Sequence, residues 1–494
     1  MTLEREIKLQ VPPGFTVPEL NVGGLVATVR EPRDLVTTYL DTPDLRVARW
    51  GCSLRHRQGE GWTVKIPVGE DEEVLARAEH TFDGDDARKP PVAAADLLRA
   101  FVRGGELAPV ARLRTRRRGV EVTDELGRAV AVVTDDEVSV MDGRRVASRF
   151  REVEVELDPA APSDAAEGIL ARLREAGAGP VDNVPKLVRA LGTRATEPPD
   201  VVAPSVDGRA TVRDVVRRAL ALSVTRLVRH DAGVRLGEDP EQVHQARVAT
   251  RRIRSDLRTF RDLVDLSWAA SIREELRGLG GALGAVRDAE VLRDRLRGRE
   301  PLLAPEDRPA VERLVAALDR DREAARKRLL TVMREPSYVA LLDRLGEAAT
   351  APAVLPEAAD APAAAALGPA LDAPWKHLRD AVEAMRADPS DEALHAARIR
   401  AKRVRYAAEA AAPVFGKRAR TFAQAAAGLQ DVLGEHQDAV VASAWLRAAA
   451  VGAPKGAFVA GQLLALEADA ARAARDAWPA AWKALSRKKL RFWA

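Results

Sequence analysis

The chain has 494 residues, of which 31% are charged and 4% aromatic, and its formal net charge is +4. This length suits two or three domains, and so small a net charge gives no global argument for a polyanionic partner. The single cysteine, Cys52, excludes an internal disulfide framework and a Cys-rich zinc site, and it favours a reducing compartment. No apolar run reaches about 18 residues, and the first residues lack a signal-like apolar segment. We therefore expect a cytoplasmic protein without a membrane span.

The first predicted strand carries three charges on one face. Side chains alternate along an extended chain, so Glu4, Glu6 and Lys8 point to one side. Burying such a face in an ordinary core would strip the charges of water and bring two carboxylates together. Two interpretations follow: the strand is the solvated face of an antiparallel sheet, or it is the wall of a cavity that holds a divalent cation and a polyanion.

Later segments of the N-terminal third repeat this pattern of same-face charges. They are residues 54–57, 62–65, 112–118 and 151–157. The first two flank a glycine-containing turn and predict a hairpin, and the last places three glutamates on one face. Strands whose same-side residues are all acidic or all basic suit the interior of a closed barrel, in which the acids hold metal and the bases hold phosphate.

In this order along the chain, the segments resemble the CYTH superfamily, also called triphosphate tunnel metalloenzymes. Glu4-x-Glu6-x-Lys8 is similar to the signature of that family, and residues 115–117 and 185–187 match further family segments. The resemblance covers residues 1–195. The family includes thiamine triphosphatases, inorganic triphosphatases and class IV adenylate cyclases. It implies an α+β multidomain protein whose N-terminal domain is a closed antiparallel β-barrel, or tunnel, with helices.

The resemblance also implies a set of site residues. The ligands of Mg²⁺ or Mn²⁺ would be Glu4, Glu6, Asp135, Glu152 and Glu154, with Asp136 as the alternative to Asp135. The triphosphate would be bound by Lys8, Arg55, Arg57, Lys65, Arg117 and Lys186, and the catalytic set would be Glu4, Glu6, Lys8, Glu152 and Glu154. Oxygen ligands suit Mg²⁺, and arginines bind phosphate oxygens in pairs. Glu156 either orients the attacking water or lies beyond the site.

A proline-punctuated linker, residues 196–208, ends this domain. Helical periodicity begins near residue 209 and continues to 494. A second Ala/Pro-rich stretch, 350–374, divides the helical region into halves of about 209–349 and 375–494. This stretch has little to bury, so we expect a flexible or partly helical connection.

The two halves share two sequence elements. Residues 243–254 align with 394–405, and residues 283–288 align with 433–438. Two recurring elements in the same order indicate a duplication. We therefore predict an all-α domain of two related helical bundles packed about a pseudo-twofold axis.

Each copy of the first element carries a stripe of cations. At about 100° per residue, one stripe contains His244, Arg247, Arg251, Arg254 and Arg258, and the other contains His395, Arg398, Lys402 and Arg405. The first stripe extends about 21 Å along its helix and has few acidic partners one turn away. It is either a solvated basic face or a binding surface for a long polyanion.

This pattern resembles the CHAD domain, a histidine-bearing helical domain that binds inorganic polyphosphate. The resemblance covers about 209–494 and implies that the polyphosphate ligands are His244, Arg247, Arg251, Arg252, Arg254, His395, Arg398, Lys402, Arg403 and Arg405. Asp288 and Asp438 are expected to orient neighbouring basic side chains. Nucleic acid is disfavoured, because the stripes lack interleaved aromatic residues.

Two functions from different classes follow. The first is metal-dependent hydrolysis of inorganic triphosphate, or of a related triphosphate or polyphosphate, in the N-terminal tunnel, with polyphosphate bound by the helical domain. The alternative is a non-catalytic protein that binds polyphosphate and is targeted by it, for example to polyphosphate granules. We favour the hydrolase, because every matched segment retains its charged residue types.

Overall fold

The computed structural model describes residues 2–21, 23–67, 75–158, 161, 163–385, 389–452 and 456–493. The chain forms two compact units, Met1–Asp200 and Val201–Ala494. The division between them falls inside the proline-punctuated segment 196–208.

The first unit contains one curled antiparallel sheet. Its strands are β1 (Thr2–Gln10), β2 (Leu25–Val29), β3 (Arg33–Asp41), β4 (Ser53–Arg57), β5 (Gly61–Pro67), β6 (Leu75–Phe82), β7 (Ala108–Asp124), β8 (Ala129–Asp142) and β9 (Arg145–Leu157). The strand order is β2-β7-β3-β4-β5-β6-β1-β9-β8, and β7 pairs in addition with β8. The helices of this unit are α1 (Arg46–Arg49), α2 (Val92–Leu97), α3 (Arg99–Val102), α4 (Ser163–Glu175) and α5 (Lys186–Leu191).

The two faces of β9 differ in chemistry because its residues alternate. Val153 and Val155 are fully buried in a core that includes Ile169 and Leu173 of α4. Glu152 and Glu154 point to the opposite face, where Glu152 is fully buried. This charged face is therefore not the solvated side of the sheet, which excludes the first of the two interpretations for the N-terminal strands.

The second unit is helical. Its helices are α6 (Val212–Leu236), α7 (Pro240–Thr259), α8 (Leu266–Arg299), α9 (Arg308–Arg334), α10 (Pro336–Thr350), α11 (Pro356–Ala359), α12 (Ala363–Glu383), α13 (Asp391–Phe415), α14 (Lys417–Gly452) and α15 (Ala457–Leu485). An apolar core joins α8, α9, α14 and α15. Within the described ranges, no helix combines the length and the apolar composition that a membrane span requires.

The helices that carry the two basic stripes begin with side-chain caps. Asp239 accepts a hydrogen bond from the Glu241 backbone N–H at the start of α7, with Pro240 in the first turn. Ser390 accepts from the Ala393 N–H at the start of α13. α7 and α13 also pack against each other. The predicted order of an antiparallel sheet with helices, followed by an all-helical region, is confirmed.

One prediction for the helical region holds only in part. The stretch 350–374 is partly helical, which was one of the two expected alternatives, because it contains α11 and the first half of α12. The premise that it has little to bury is wrong. Leu367 and Leu371 on α12 are buried, so one face of this helix packs in the core although Pro369 and Pro374 lie inside it.

Candidate functional site

A cavity of about 260 Å³ lies on the charged face of the sheet. Among the described residues, seven cationic and four acidic side chains line it: Lys8, Arg55, Arg57, Lys65, Arg77, Arg117, Lys186, Glu6, Glu79, Glu154 and Glu156. All six cations that the sequence predicts to bind triphosphate are in this set. They come from β1, β4, β5, β7 and α5, so the tertiary fold brings together residues up to 178 positions apart.

Strand register explains which charges meet. Residues that pair directly across an antiparallel ladder share a face. Lys8 on β1 pairs with Glu154 on β9, and Lys65 on β5 pairs with Glu79 on β6. These two cross-strand pairs are of opposite charge, which offsets part of the cost of burying them, whereas Glu6 pairs with Glu156 and Asp136 pairs with Glu152.

Two buried lysines connect the carboxylates of β1, β8 and β9. Lys8 Nζ lies 2.8 Å from Glu6 Oε1 and 2.6 Å from Glu154 Oε1. Lys186 Nζ, on the first residue of α5, lies 2.5 Å from Glu154 Oε1 and 2.9 Å from both Asp136 Oδ2 and Glu152 Oε1. Glu154 is therefore the shared partner of both ammonium groups.

Arg117 distinguishes the two aspartates of β8. Its Nε and Nη2 donate to Asp136 at 2.8 and 2.6 Å, and Nη2 also donates to Glu154 at 3.0 Å. Asp135 points to the opposite face of the sheet, where Arg151 Nε donates to it at 2.7 Å. The structure does not bring Asp135 together with the other predicted metal ligands. Asp136 takes that position, because adjacent residues of a strand alternate sides.

The network shifts the pKa values of its members in opposite directions. Burial, followed by repulsion from Glu154, raises the pKa of Glu6 to about 7. Burial opposes the charge of Lys186, but Glu154, Asp136 and Glu152 outweigh it and raise the pKa of Lys186. Although burial disfavours its charge, Glu154 has a pKa well below its usual range because of Lys186 and Lys8. At neutral pH the cavity thus holds ionised pairs and one carboxyl group, that of Glu6, that is poised between its two forms.

The opposite wall of the cavity contains residues that the sequence analysis did not identify. Arg77 and Glu79 on β6 line it. Glu79 lies 3.2 Å from Lys65 Nζ and 3.3 Å from Arg55 Nη2. Their i, i+2 spacing on a strand is the same signal that identified Glu152 and Glu154. Arg189 on α5, whose Nε is 3.2 Å from Glu152 Oε2, had no such signal, because it follows a different periodicity.

The carboxylates fit a hard divalent cation in their chemistry. Oxygen donors of the kind that Mg²⁺ and Mn²⁺ prefer line the cavity at Glu6 and Glu154, and Asp136 and Glu152 lie next to them, bridged by Lys186. Glu6 Oε1 and both carboxylate oxygens of Glu152 are buried and accept no hydrogen bond from the described residues, although ammonium groups lie within ion-pair distance. The side chain of Glu4 lies outside the described residues. Among the residues that the structure describes, no three acidic, histidine or cysteine side chains are already arranged around a common point.

A second cavity, of about 370 Å³, lies in the helical unit among α7, α8, α13 and α14. Six of the ten residues predicted to bind polyphosphate line it: His244, Arg247, Arg251, His395, Arg398 and Lys402. Arg287 and Arg295 of α8 also line it. Neither was identified from the sequence, because the second half has Gln437 and Trp445 at the aligned positions.

Aspartates of α8 and α14 contact the predicted ligands in the way that the sequence suggests. Asp288 Oδ1 is 2.9 Å from Arg247 Nη1. Asp438 Oδ1 is 3.8 Å from Arg398 Nη2, at the same aligned positions. Each aspartate thus restrains one arginine at the edge of the cavity. Arg287 pairs with Glu290, and Arg295 pairs with Glu435 and Glu467.

The excess of cations in this cavity lowers pKa values. Burial, followed by repulsion from Arg398, Arg251 and Arg247, lowers the pKa of Lys402 to about 7. Burial and Arg287 lower the pKa of His244. A bound polyanion would reverse both effects, since it would supply the missing negative charge.

The remaining four predicted polyphosphate ligands do not line this cavity. Arg252 and Arg405 both donate to the carboxylate of Glu409. Arg254 and Arg403 lie on other faces of α7 and α13, among further arginines. The helical stripe drawn from the sequence therefore divides into a part inside the cavity and a part outside it.

Comparisons with known proteins agree with the division of the chain into an N-terminal unit with a sheet and a C-terminal helical unit. The CYTH domain model matches residues 2–188 and the CHAD domain model matches residues 218–447. Uncharacterized proteins of two Mycobacterium tuberculosis strains are each 34% identical over 519 residues, which covers 98% of this chain and 96% of theirs. PptA from Streptomyces chartreusis is 26% identical, with a TM-score of 0.46, over 56% of this chain and 100% of its own. The CHAD domain from the plant Ricinus communis is 29% identical, with a TM-score of 0.46, over 56% of this chain and 96% of its own.

Proposed function

Since this chain belongs to the proteins that join an N-terminal CYTH domain to a CHAD domain, we propose that it is a metal-dependent triphosphatase that also binds inorganic polyphosphate. Its substrate is inorganic triphosphate or the end of a related polyphosphate. One observation carries this proposal: six cations from five elements converge on one cavity of about 260 Å³, against a wall of buried carboxylates.

The shape of the cavity follows from the strand pairings. They run from β7 through β3, β4, β5, β6, β1, β9 and β8, and β8 pairs again with β7. This sequence of pairings supports a tunnel whose interior face carries the charged side chains. A tunnel would surround a linear triphosphate with donors on all sides and exclude bulk water.

The cations of this site bind the phosphates. Arg55, Arg57 and Arg117 present forked donors to phosphate oxygens, while Lys8, Lys65 and Lys186 act as point charges. When triphosphate enters, Lys8 and Lys186 exchange carboxylate contacts for phosphate contacts. Phosphoryl transfer depends mainly on positioning and charge neutralisation, so these six groups supply most of what the reaction requires.

The carboxylates hold the metal and the attacking water. Glu6, Asp136, Glu152 and Glu154, with Glu4 by the family resemblance, would hold Mg²⁺ or Mn²⁺. When bound, the cation neutralises phosphate charge and lowers the pKa of a water ligand. Glu156 also lines the cavity, which supports a role in orienting the water that attacks the terminal phosphate.

The helical domain binds polyphosphate through its own cavity. Pairs of matching residues from α7 and α13 line it, His244 with His395 and Arg247 with Arg398. This matching supports the predicted duplication and a ligand that runs between the two helices. A polyphosphate chain has about one negative charge per phosphate, so it would neutralise several of these cations at once.

One observation favours the alternative, a non-catalytic polyphosphate-binding protein. The carboxylates at Glu6, Asp136, Glu152 and Glu154 all lie within ion-pair distance of a lysine or arginine. A network that is already neutral has no electrostatic need for a metal. Phosphate would then bind without being hydrolysed.

Phosphate release from tripolyphosphate, with Mg²⁺ and then Mn²⁺, separates the two functions. We expect metal-dependent release by the wild type and its loss in Glu154→Gln. Glu137→Gln is the matched control, because Glu137 lies on the outer face of the same sheet and pairs with Arg118. No release with either metal, together with retained polyphosphate binding, would establish the non-catalytic alternative.

A further inference from the structure

One lysine takes the place of an arginine in the cavity of about 370 Å³. Aligning His244 with His395 matches Arg251 on α7 with Lys402 on α13. Both line the cavity, and Lys402 is half-buried there. A lysine amine, unlike a guanidinium, can lose its proton in a protein and then act as a nucleophile. The exchange therefore places a potential nucleophile among cations.

Three arginines surround the Lys402 amine, and no carboxylate binds it directly. Arg398, Arg251 and Arg247 are its cationic neighbours, and their repulsion adds to burial in lowering the pKa of Lys402 to about 7. Within the described ranges, no acidic side chain forms an ion pair with Lys402. Much of this amine is therefore uncharged near neutral pH, whereas an exposed lysine is almost fully protonated there.

The other charged groups of the cavity do not supply an anion for Lys402 either. Asp288 lies 2.9 Å from Arg247, and Asp438 lies 3.8 Å from Arg398. The two arginines of α8 that line the cavity pair with glutamates of α8, α14 and α15. The lining histidines carry no negative charge in either form.

Two of the arginines around Lys402 have donors that lack an acceptor. The Nε atoms of Arg251 and Arg398 are buried, and neither donates a hydrogen bond to the part of the chain that the structure describes. The guanidinium group of Arg251 packs over the ring of Tyr406, 5.7 Å from its centre. An anion formed at Lys402 would provide acceptors that these donors need.

We propose that the Lys402 amine reacts with carbon dioxide to form a carbamate whose oxygens accept hydrogen bonds from the neighbouring arginines. The nitrogen lone pair forms a bond to the carbon of CO₂, a C=O electron pair moves onto oxygen, and one N–H proton passes to water. The product is a planar anion with two oxygens, which matches the forked donors of a guanidinium group. The surrounding cations therefore stabilise the product more than the free amine.

The carbamate would regulate the cavity that we propose binds polyphosphate, and in this respect it rests on the proposed function. It turns a side chain that can be cationic into an anion, and it uses arginine donors that polyphosphate would also use. Carbon dioxide should therefore weaken polyphosphate binding in the cavity. Formation of the carbamate itself requires no phosphate, so the two proposals can fail separately.

Chemical trapping of the full chain tests whether the carbamate forms. The protein is incubated with ¹³C-labelled bicarbonate at pH 8, alkylated with triethyloxonium, digested and analysed by mass spectrometry. We expect a labelled ethyl carbamate at Lys402, with an occupancy about tenfold or more above that at Lys327, an exposed lysine of α9. No label at Lys402, or equal labelling of the two lysines, overturns the proposal without any variant.

Two variants test the role of the surrounding cations. Arg251→Gln should lower the labelling of Lys402 severalfold, because it removes both a repulsive charge and a donor to the carbamate. Arg320→Gln on α9 is the control, since it removes the same charge at an exposed position. Equal labelling of Lys402 in the two variants would contradict stabilisation of the carbamate by the arginines.

Affinity for polyphosphate of fixed length tests the regulation. It is measured without divalent metal, in bicarbonate and in chloride of equal ionic strength. We expect severalfold weaker binding in bicarbonate for the wild type and a smaller change for Lys402→Arg, which keeps the charge but forms no carbamate. Bicarbonate ions compete equally in both proteins, so an equal effect in the two overturns the regulation.

Protection by tripolyphosphate separates this inference from the proposed function. Saturating tripolyphosphate should prevent the labelling of Lys402. If Lys402 is labelled equally with and without tripolyphosphate, polyphosphate binding in the cavity fails while the carbamate stands. If Lys402 is unlabelled in the free protein although polyphosphate binds, the carbamate fails and the proposed function stands.

Discussion

Lys8 on β1 and Glu154 on β9 pair directly across the sheet, and their Nζ and Oε1 atoms lie 2.6 Å apart. Glu154 also receives Lys186 and Arg117 from α5 and β7. A single carboxylate thus connects three of the cations that we propose bind phosphate. This arrangement holds the cations in position before a ligand arrives, and it couples the stability of the domain to the occupancy of the cavity.

Removing one cation from this network should destabilise the domain. In Lys8→Met, Glu6 and Glu154 lose a buried partner, and an uncompensated buried charge costs about 3 kcal/mol or more. We expect a clearly lower melting temperature by calorimetry. Lys89→Met, at an exposed position, is the control, and equal melting temperatures of the two variants would show that the network contributes nothing to stability.

The two aspartates of β8 should differ in function. Asp136 accepts from Arg117 on the charged face of the sheet, whereas Asp135 accepts from Arg151 on the outer side. We expect Asp136→Asn to lower metal-dependent phosphate release by on the order of a hundredfold, and Asp135→Asn to leave it within a few-fold of the wild type. Release from tripolyphosphate under single-turnover conditions measures both. A larger loss of phosphate release in Asp135→Asn than in Asp136→Asn would instead indicate Asp135 as the metal ligand.

Polyphosphate affinity should fall as pH rises above 7. The pKa of Lys402 is lowered to about 7 by burial and by Arg398, Arg251 and Arg247. A bound polyanion raises this pKa, so binding takes up a proton when the pH lies between the free and bound values. For each pKa unit by which binding raises the pKa of Lys402, the affinity for polyphosphate should therefore drop about tenfold between low and high pH.

Binding to polyphosphate of fixed length, measured at pH 7 and pH 9 and constant salt, tests this. Burial and Arg287 lower the pKa of His244, and a bound polyanion would raise it too, so a variant at Lys402 is needed to assign the effect. Lys402→Arg keeps its charge at both pH values, so its affinity should change less. If the affinity changes equally with pH in the wild type and in Lys402→Arg, the pH dependence belongs to another group.

Asp256 on α7 should make the helical unit less stable as pH rises. Burial raises the pKa of Asp256 to about 7, although Arg252 opposes the shift. Its unfolded value is near 3.9, so folding favours the protonated form. The stabilisation that protonated Asp256 contributes is fully present below about pH 4 and is lost as pH rises towards 7.

The variant Asp256→Asn removes this titration. We expect its melting temperature, relative to the wild type, to increase from pH 5 to pH 8. Asp262→Asn changes an exposed carboxylate one turn beyond α7 and serves as the control. A constant difference between Asp256→Asn and the wild type across this range would mean that Asp256 is ionised throughout.

Much of the N-terminal site could be predicted from strand alternation alone. Glu152 and Glu154 share a face in any extended strand, and the six cations recur at i, i+2 positions or in family segments. Alternation could not choose between Asp135 and Asp136, because that choice depends on which face of β8 turns towards β7 and β9. Arg189 was missed because α5 places it by helical geometry next to a residue 37 positions earlier in the sequence.

The helical site was predicted less completely. A wheel drawn from α7 places His244, Arg247, Arg251 and Arg254 in one stripe, but the cavity receives only the first three. A stripe runs along the whole helix, whereas the cavity extends only where α8, α13 and α14 surround it. The burial of the Ala/Pro-rich stretch 350–374 was underestimated for a similar reason, since alanine and leucine pack in a core only if neighbouring helices provide one.

The sequence by itself determined the two domains, their order and the charge of each face, because these follow from local periodicity and from motifs a few residues long. Only the tertiary structure decided which charges meet. The contact of Arg252 with Glu409 joins residues 157 positions apart, and Lys186 reaches Glu154 across 32. Such contacts depend on register and on helix crossing, which no local pattern encodes. They decide which carboxylate each buried cation contacts.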